Sequence, residues 1–426
     1  MRPFLPLLLV LGACHSATSQ DTPDAAVTSD AAVDAATGCA PGLAGAGCVL
    51  ALYDQGAAGC DPATIAKLRT ELDARAKQGP LWSAGRALFR TQAPINVAGG
   101  FNNWDAAAFA TAQFCQTDLV LGVTAVASGF WPYKLVSGGT WTLDPTNPAF
   151  AYDDFAGNAD HRNSVLDTPD SGRGHLVTLD QACSTALGNC RNVTAYLPPA
   201  YDADNRTYPV LFMHDGKNVW DDHTCCFGHT GWEINVTLDA EIAAGRVAPI
   251  IVIAADQTAA RNDEYGLSLT TMNSFIAFQV NELQPHALSQ VRGDGGRVYI
   301  AGSSLGGLVS MELALRKPQT YAGVASLSGA FWPNNSALRD EIPGLGKQAL
   351  AIYVDSGGNP ADNSDGAQDT IEVRDHIVAL GWVRADSPTC TPGPDALCYH
   401  LEPGATHDEL AWKARAWRFL RYLFPA

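Results

Sequence analysis

The segment 297–316 constrains the fold of this chain more than any other. An apolar run, Arg297-Val298-Tyr299-Ile300-Ala301, leads directly into Gly302-Ser303-Ser304-Leu305-Gly306, and an amphipathic stretch follows from Leu308 to Arg316. A strand that turns sharply into a helix leaves little room for side chains beside the turn, which explains the glycines. The pattern therefore predicts a strand–turn–helix unit that holds the hydroxyl of Ser304 at the carboxyl end of a strand.

Alternating segments on both sides of this unit predict an α/β domain. Short continuous apolar runs are typical of parallel strands buried on both faces. They occur at Val193–Leu197, Val210–Met213, Ile250–Ala254, Val298–Ala301, Gly323–Leu327 and Leu350–Val354. Helical stretches are predicted at Trp232–Ala244, about Thr271–Leu288, Leu305–Arg316 and Gln368–Leu380. We therefore expect an open sheet covered by helices on both faces within residues 173–426.

A reactive serine needs partners, because its hydroxyl is a poor nucleophile at neutral pH. It requires a base, an acid that orients the base, and donors for an oxyanion. After a turn of this type the partners follow the serine in the order Asp or Glu, then His. His407 lies in Pro403–Glu409, after the last strand-like run and before a C-terminal helix. Its order after the serine and its position in this loop predict that His407 is the base. The alternative is a surface histidine without a catalytic role.

The acid is expected in the loop after Leu350–Val354, which contains three carboxylates. We predict Asp362, with Asp365 as the second choice and Asp355 as the last. Asp355 ranks last because a residue still inside the end of a strand would have little reach towards His407.

Two backbone N–H groups are predicted to bind the oxyanion. One belongs to Leu305, directly after the serine, and the other to Lys217, in the turn that follows Val210–Met213. Gly216 allows that turn to aim an N–H group inwards. His214 precedes the serine in the chain, so we expect it to hold this turn rather than to act as the base.

Length and charge limit the classes of protein that this chain can be. At 426 residues it is too long for one ordinary core, so two folded domains with appendages are expected. Lys and Arg number 27 against 44 Asp and Glu, which gives a formal net charge of −17. A nucleic-acid backbone would be repelled by this field, so nucleic acid is excluded as a partner.

The first residues predict export. Arg2 and the apolar stretch Phe4–Leu11 form a signal too short to span a bilayer. The run Leu11-Gly12-Ala13-Cys14 resembles the lipobox of bacterial lipoproteins, which implies lipidation of Cys14 and attachment to the membrane through a lipid. Residues 1–14 are thus a predicted lipoprotein signal, and 15–38, without aromatic or basic residues, a solvated tether. We expect a cell-envelope lipoprotein of the periplasm or outer membrane, with secretion after ordinary signal cleavage as the alternative.

The remaining cysteines fit an oxidising compartment. Removing Cys14 from the eleven cysteines leaves ten, an even number. Cys183 with Cys190 and Cys390 with Cys398 are close enough to form local disulfides, whereas the other pairings stay open. A zinc site is the weaker alternative, because no C-x-x-C spacing occurs. We predict no metal and no cofactor.

Residues 39–168 predict a different architecture. Residues 39–85 form a Cys-containing segment with a helix from Asp61-Pro62 to about Lys77, and 86–168 contain short apolar runs separated by turn residues. This predicts an N-terminal all-β, immunoglobulin-like sandwich.

A resemblance gives this sandwich a function to test. Its motifs are Gly100-Phe101-Asn102-Asn103-Trp104, Tyr133-Lys134-Leu135-Val136, Gly139-Thr140-Trp141 and Asn163-Ser164-Val165. Their order resembles that in the glycogen-binding domain of the AMP-activated kinase β subunit and in isoamylase-type N-terminal domains. The resemblance implies that Trp104, Trp141, Lys134 and Asn163 face a sugar, and aromatic rings do stack on sugar faces. In enterochelin esterases, however, a similar sandwich precedes the catalytic domain without binding starch, so core and edge roles stay open.

A second resemblance covers about residues 174–424. Its segments are Arg191–Tyr201, His214–Asn218, Arg261 with Glu264-Tyr265, the turn at Ser304, and Gly404–Trp412. They resemble the esterase family that contains enterochelin esterase, feruloyl esterases and S-formylglutathione hydrolase. The resemblance implies an α/β-hydrolase fold and ester hydrolysis by Ser304 and His407. The loop after Val354 is longer than the common Gly-Thr-x-Glu form of the family, which leaves the acid open.

The expected function is that of an exported serine esterase, a carboxylic ester hydrolase that forms an acyl-enzyme and needs no cofactor. Its substrate would be a small-molecule or polysaccharide ester, such as a siderophore ester or a feruloyl or acetyl ester. Two alternatives remain open: an acyltransferase that uses the same residues, and a non-catalytic surface protein that binds glucan.

Overall fold

The strands fall into two groups along the chain. The first group is β1 (Leu81–Ser83), β2 (Arg86–Thr91), β3 (Asn96–Gly99), β4 (Ala112–Gln113), β5 (Val120–Ala125), β6 (Phe130–Ser137), β7 (Thr140–Thr142), β8 (Ala149–Tyr152) and β9 (Arg162–Asp167). The second group is β10 (His175–Ser184), β11 (Asn189–Leu197), β12 (Tyr208–Met213), β13 (Ile251–Ala255), β14 (Gly293–Ser303), β15 (Gly323–Leu327), β16 (Ala351–Ser356), β17 (Val383–Asp386) and β18 (Ala396–Leu401).

The helices are α1 (Ala46–Gly59), α2 (Pro62–Asp73), α3 (Gly216–Val219), α4 (Ile234–Ala243), α5 (Leu269–Phe278), α6 (Gln284–Leu288), α7 (Leu305–Arg316), α8 (Pro333–Leu345), α9 (Ala367–Ala379) and α10 (Glu409–Leu423).

The structure is a computed structural model that describes residues 38–40, 45–155, 157, 160–203, 205–225 and 230–426. The predicted export signal, Cys14 and nearly all of the predicted tether lie outside these residues. Within the described ranges, no helix has both the length and the apolar character needed to cross a bilayer.

The second group of strands forms the predicted α/β sheet. Its order is β17-β18-β16-β15-β14-β12-β13-β11-β10, and the strands from β17 to β13 are parallel. The strands carry buried side chains on both faces, and two apolar clusters cover the two sides. This confirms the α/β prediction, and parallel strands place their carboxyl ends at one edge, where ligands bind in open sheets of this kind.

The helices agree with the predictions where the apolar spacing is regular. Helix α7 has the predicted bounds, and the predicted stretch Thr271–Leu288 is α5, a π-helical segment (Gln279–Leu283) and α6. Helix α8 is missing from the sequence predictions because it contains Pro343 and begins at Pro333, and an internal proline normally argues against a helix.

The first group of strands forms two sheets that face each other. One sheet has the order β1-β2-β5-β4, and the other contains β3, β6, β9 and β8, with β7 paired to β6. Buried side chains from both sheets form a shared apolar layer that includes Phe89, Val97, Tyr133 and Leu135.

The boundary between the two predicted domains is not a break in the sheet. Strand β8 pairs with β10, with Phe150 opposite Leu176 and Ala149 opposite Val177. The second sheet of the N-terminal part is therefore continuous with the α/β sheet, whereas the sequence predicted two separate units, 86–168 and 173–426. In addition, strand β1 lies within residues 39–85, which the sequence analysis separated from the predicted sandwich.

Disulfides tie several of these elements together. The two predicted local pairs, Cys183–Cys190 and Cys390–Cys398, are present. The structure adds Cys39–Cys48 and Cys60–Cys115. Cys60–Cys115 links the helical segment 46–73 to the loop after β4, a long-range pairing that spacing alone could not predict.

Candidate active site

The predicted strand–turn–helix unit forms at Ser304. Strand β14 ends at Ser303, helix α7 begins at Leu305, and Ser304 itself has φ 54° and ψ −127°. A side chain at Gly302 would bring a Cβ atom within 2.6 Å of the Gly306 backbone. The turn thus requires glycine beside the serine, and a non-glycine residue in this strained conformation is typical of a functional site.

Two loops bring a histidine and a carboxylate to Ser304. The Nε2 atom of His407 lies 2.9 Å from the Ser304 Oγ atom, and its Nδ1 atom lies 2.6 Å from Asp365 Oδ1. One tautomer satisfies both contacts: Nδ1–H donates to the carboxylate, and Nε2 accepts from the hydroxyl. The His407 side chain is 43% exposed, whereas the Asp365 side chain is 2% exposed. The base is therefore open to a ligand, and the carboxylate is shielded from water.

The structure brings Asp365, and not the predicted Asp362, to His407. Asp362 is exposed, and its carboxylate accepts the N–H group of Ser364 at 3.0 Å in a local turn. Asn363 and Asp365 then adopt positive φ angles of 53° and 56°, which turn the chain back towards His407. Asp365 was the second choice from the sequence and lies three residues after Asp362. The reversal of the chain brings Asp365, and not Asp362, into contact with His407.

Asp355, the last choice, lies at the end of β16 and is fully buried. It is 3.1 Å from Arg415 Nε and accepts the Tyr353 hydroxyl at 2.9 Å. Burial raises the pKa of Asp355, while Arg415 and the Tyr353 hydroxyl oppose this shift. As expected from its place in the strand, it does not contact His407.

The predicted oxyanion donors lie in two different turns. Leu305 is the first residue of α7, so its N–H group has no partner within the helix. The N–H group of Lys217 donates to the side-chain oxygen of Gln257 at 3.3 Å, a long contact that a stronger acceptor could replace. Both residues stay predictions as oxyanion donors.

The turn that carries Lys217 is held by buried charges. Asp215 has φ 62° and pairs with Arg261 through both carboxylate oxygens, with 2.6 Å between Oδ2 and Nη2. His214 is buried against Tyr265, and its backbone N–H group donates to the end of β14. Burial and the cations of Arg191 and Arg261 lower the pKa of His214 to about 3. The neutral ring of His214 packs against Tyr265 and Phe275.

The two tryptophans of the predicted sugar face are together on the surface. Trp104 is 39% exposed and Trp141 is 42% exposed, with 6.2 Å between their ring centroids. Trp141 pairs with Val136 of β6, so it projects from the same face of the sheet as Lys134, two residues along that strand.

Lys134 and Asn163, in contrast, are buried. Lys134 Nζ lies 3.3 Å from Asp160 Oδ1, and the side-chain amide of Asn163 donates to Asp153. Their polar groups are already engaged by carboxylates, so the structure presents the tryptophans to solvent but not these two residues.

Within the described residues, no group of three or more His, Cys, Asp or Glu side chains is arranged to hold a metal ion.

Sequence reasoning missed the residues behind Asp365. Ser328, at the end of β15, and Trp412 and Arg415, in α10, surround this carboxylate. One residue could have indicated this network from the sequence. Arg415 lies between Trp412 and Phe419 on the apolar stripe of α10, where an apolar residue is expected.

The chain is similar to known esterases. Residues 184–378 match the family model Esterase, described as "Putative esterase". The chain is 27% identical over 269 residues to the iron(III) enterobactin esterase of Dickeya dadantii, covering 59% of this chain and 57% of that protein. It is 25% identical over 254 residues to the endo-1,4-beta-xylanase/feruloyl esterase of Xylanibacter ruminicola, covering 57% of this chain and 30% of that protein. The chain thus spans less than two thirds of the length of each of these relatives.

Among solved structures, the ferric enterobactin esterase of Salmonella typhimurium matches 83% of this chain and 98% of its own, at 18% identity and a TM-score of 0.45. Residues 184–378 thus match the esterase family, and these similarities support a carboxylic ester hydrolase similar to the enterobactin and feruloyl esterases.

Proposed function

We propose that the protein is an exported serine esterase in which Ser304, His407 and Asp365 act as a catalytic triad. The Ser304 oxygen attacks the ester carbonyl carbon while His407 Nε2 takes the hydroxyl proton. Asp365 stabilises the imidazolium that forms. His407 then gives this proton to the leaving alcohol, an acyl-enzyme remains on Ser304, and water hydrolyses it by the same steps in reverse. The N–H groups of Leu305 and Lys217 stabilise the oxyanion of each tetrahedral intermediate.

The observation that carries this proposal is the continuous hydrogen-bonded series from Ser304 to Asp365. Contacts of 2.9 Å and 2.6 Å connect the three side chains across 103 and 42 residues of sequence. The serine stands at a strained turn, the histidine is accessible, and the carboxylate is buried, which is the arrangement that nucleophilic catalysis needs.

Labelling with a fluorophosphonate tests the proposal. We expect the intact mass of the wild type to increase by one probe adduct and that of Ser304→Ala to stay unchanged. Ser303→Ala, at the neighbouring position, is the matched control and should still be labelled. A folded wild type that takes up no probe would rule out an activated serine.

Export through the N-terminal signal is part of the proposal. The disulfides Cys60–Cys115 and Cys390–Cys398 support it, because disulfides persist in oxidising compartments. Lipidation at Cys14 predicts that the protein fractionates with membranes and that Cys14→Ser releases it. If cell lysis and salt washing release neither the wild type nor Cys14→Ser, the protein is held by an anchor other than a lipid on Cys14.

An ester on a carbohydrate is the substrate class that a specific observation favours. Two exposed tryptophans at 6.2 Å offer a flat apolar surface, and such surfaces stack on sugar rings. One relative is named an endo-1,4-beta-xylanase/feruloyl esterase, which combines a polysaccharide activity with ester hydrolysis, whereas the other is named an iron(III) enterobactin esterase. Affinity electrophoresis in soluble glucan or xylan should retard the wild type but not Trp104→Ala. Trp332→Ala, which removes an exposed tryptophan elsewhere, is the control and should be retarded like the wild type.

A further inference from the structure

Asp365 is held from behind by a buried network that the proposed reaction does not use. Its Oδ2 atom accepts the Ser328 hydroxyl at 2.6 Å and the N–H group of Gly357. Ser328 is fully buried at the end of β15. Two further donors point at the Ser328 oxygen: Trp412 Nε1–H at 3.0 Å and the Nη2–H of Arg415.

These contacts fix the direction of the Ser328 proton. Indole and guanidinium nitrogens donate hydrogen bonds and do not accept them. The Ser328 oxygen must therefore accept from Trp412 and Arg415, and its single hydrogen can only be donated to Asp365. The Oδ2 atom is then occupied by two donors, which leaves Oδ1 turned towards the Nδ1–H group of His407.

Arg415 is the only cation that contacts this carboxylate from the buried side, among the residues described. Its side chain is 2% exposed, and it lies 3.6 Å from Asp365 Oδ2 and 3.1 Å from Asp355 Oδ1. Burial by itself would lower the pKa of Arg415, but Asp355 and Asp365 raise it, so the guanidinium keeps its charge. One cation thus compensates two buried carboxylates.

The backbone conformation of Ser328 supports a functional role for this network. Its φ angle is 45°, a left-handed conformation that is strained for serine. Its N–H group donates to the Asp355 carbonyl at 2.9 Å, which holds the residue in that conformation. Strain of this kind persists where the surroundings dictate the position of one side chain.

We propose that Ser328 and Arg415 are positioning residues of the active site, which hold the Asp365 carboxylate beside a buried cation and orient its Oδ1 atom towards His407. Neither touches the substrate, and both act through Asp365. The inference rests on the proposed function, because it assigns these residues a role in the reaction of Ser304.

Other charged groups face the network from neighbouring elements. From β16, the Tyr353 hydroxyl donates to Asp355, and burial together with Asp355 raises the pKa of Tyr353. The remaining groups are His400 and Glu402, which hydrogen-bond each other at the end of β18, Arg418 in α10, and His407 itself.

Substitution of the two residues should change turnover and its pH dependence in different ways. Ser328→Ala keeps the charge of Arg415 but removes a hydrogen bond to a charged acceptor, so we expect kcat to fall about tenfold with KM unchanged. In Arg415→Met, two buried carboxylates lose their cation and one of them retains a proton. We expect the acid limb of the kcat/KM profile to move up by about one pH unit or more. Arg415→Lys restores a cation and should return the limb towards its wild-type position.

The control is Arg421→Met, which removes an arginine of the same helix that pairs with Glu241 and not with the network. It should leave the acid limb in place. If Ser328→Ala and Arg415→Met both keep the wild-type kcat and pH profile, the proposal is wrong. Should Arg415→Met fail to fold, Ser328→Ala decides alone, with circular dichroism as the check on its fold.

A second readout separates this inference from the proposed function. Fluorophosphonate labelling of the wild type reports on Ser304 alone. An NMR titration of the His407 ring in the wild type and in Ser328→Ala reports on the contact with Asp365, even in the absence of turnover. Failure of labelling with a shifted His407 titration would reject the esterase mechanism but keep the network, and an unchanged titration would reject the network.

Discussion

Asp365 and Asp362 provide a test at the scale of single residues. Asp365→Asn replaces the acceptor of His407 Nδ1–H with an amide that can hold the ring in the wrong tautomer. We expect kcat to fall about 10³- to 10⁴-fold, with little change in KM, as for the same substitution in serine hydrolases generally. Asp362→Asn removes an exposed carboxylate of the same loop and should keep the wild-type rate. Steady-state kinetics on a small ester measures both, and an equal loss in the two variants would contradict the assignment.

The sequence predicted the serine and the histidine for physical reasons that are local. Ser304 stands in a turn whose glycines are required by steric exclusion, and His407 stands between a strand and a helix at the expected end of the chain. The acid could not be predicted with the same certainty. Its position depends on left-handed residues at Asn363 and Asp365, and no simple pattern distinguishes these from other loop residues. Ser328 could not be identified from the sequence, because its role depends on hydrogen-bond donors that α10 brings to it only in the folded chain.

At the scale of elements, Glu241 connects α4 to α10. Its carboxylate accepts from Arg421 of α10 at 2.7 Å and from Arg246 at 2.8 Å. Burial alone would raise the pKa of Glu241, but the two arginines lower it from 4.5 to about 2. A depressed pKa in the folded state stabilises the protein above the unfolded pKa, and this contribution is lost as the pH falls through the folded pKa.

We therefore expect the free energy of unfolding to decrease between about pH 4.5 and pH 2, and to decrease less in Glu241→Gln. Urea denaturation at pH 7 and pH 3 measures the difference. Glu341→Gln, which removes a more exposed ion pair from α8, should retain the wild-type dependence on pH. A parallel loss of stability in the wild type and Glu241→Gln would show that other groups control acid unfolding.

The elements that the sequence predicted well are those with continuous or regularly spaced apolar residues. Helix α7 and the parallel strands meet this condition, because they are covered on all sides and carry continuous apolar runs. Helix α1 does not, since it contains several glycines and no clear apolar stripe, and its place depends on packing against α2. Tertiary contacts thus decide the elements whose own sequences are ambiguous.

At the scale of the whole molecule, the pairing of β8 with β10 joins the N-terminal strands to the α/β sheet. Phe150 of β8 also packs in an apolar cluster with residues of the α/β part. We expect residues 39–426 to unfold in one cooperative transition, with equal calorimetric and van't Hoff enthalpies. Differential scanning calorimetry checks this, with fluorophosphonate labelling of the heated protein as an independent probe of the Ser304 region. Two resolved transitions would show that the strand pairing is too weak to couple the parts.

The shared sheet also sets a condition on ligands. Because β8 hydrogen-bonds to β10, the exposed Trp104 and Trp141 cannot swing relative to Ser304 as they would on a flexible linker. A polymer that contacts both would have to present its ester at one fixed number of sugar units from the stacked ring. The protein would then cleave a decorated chain with a spacing preference, and free small esters would show none.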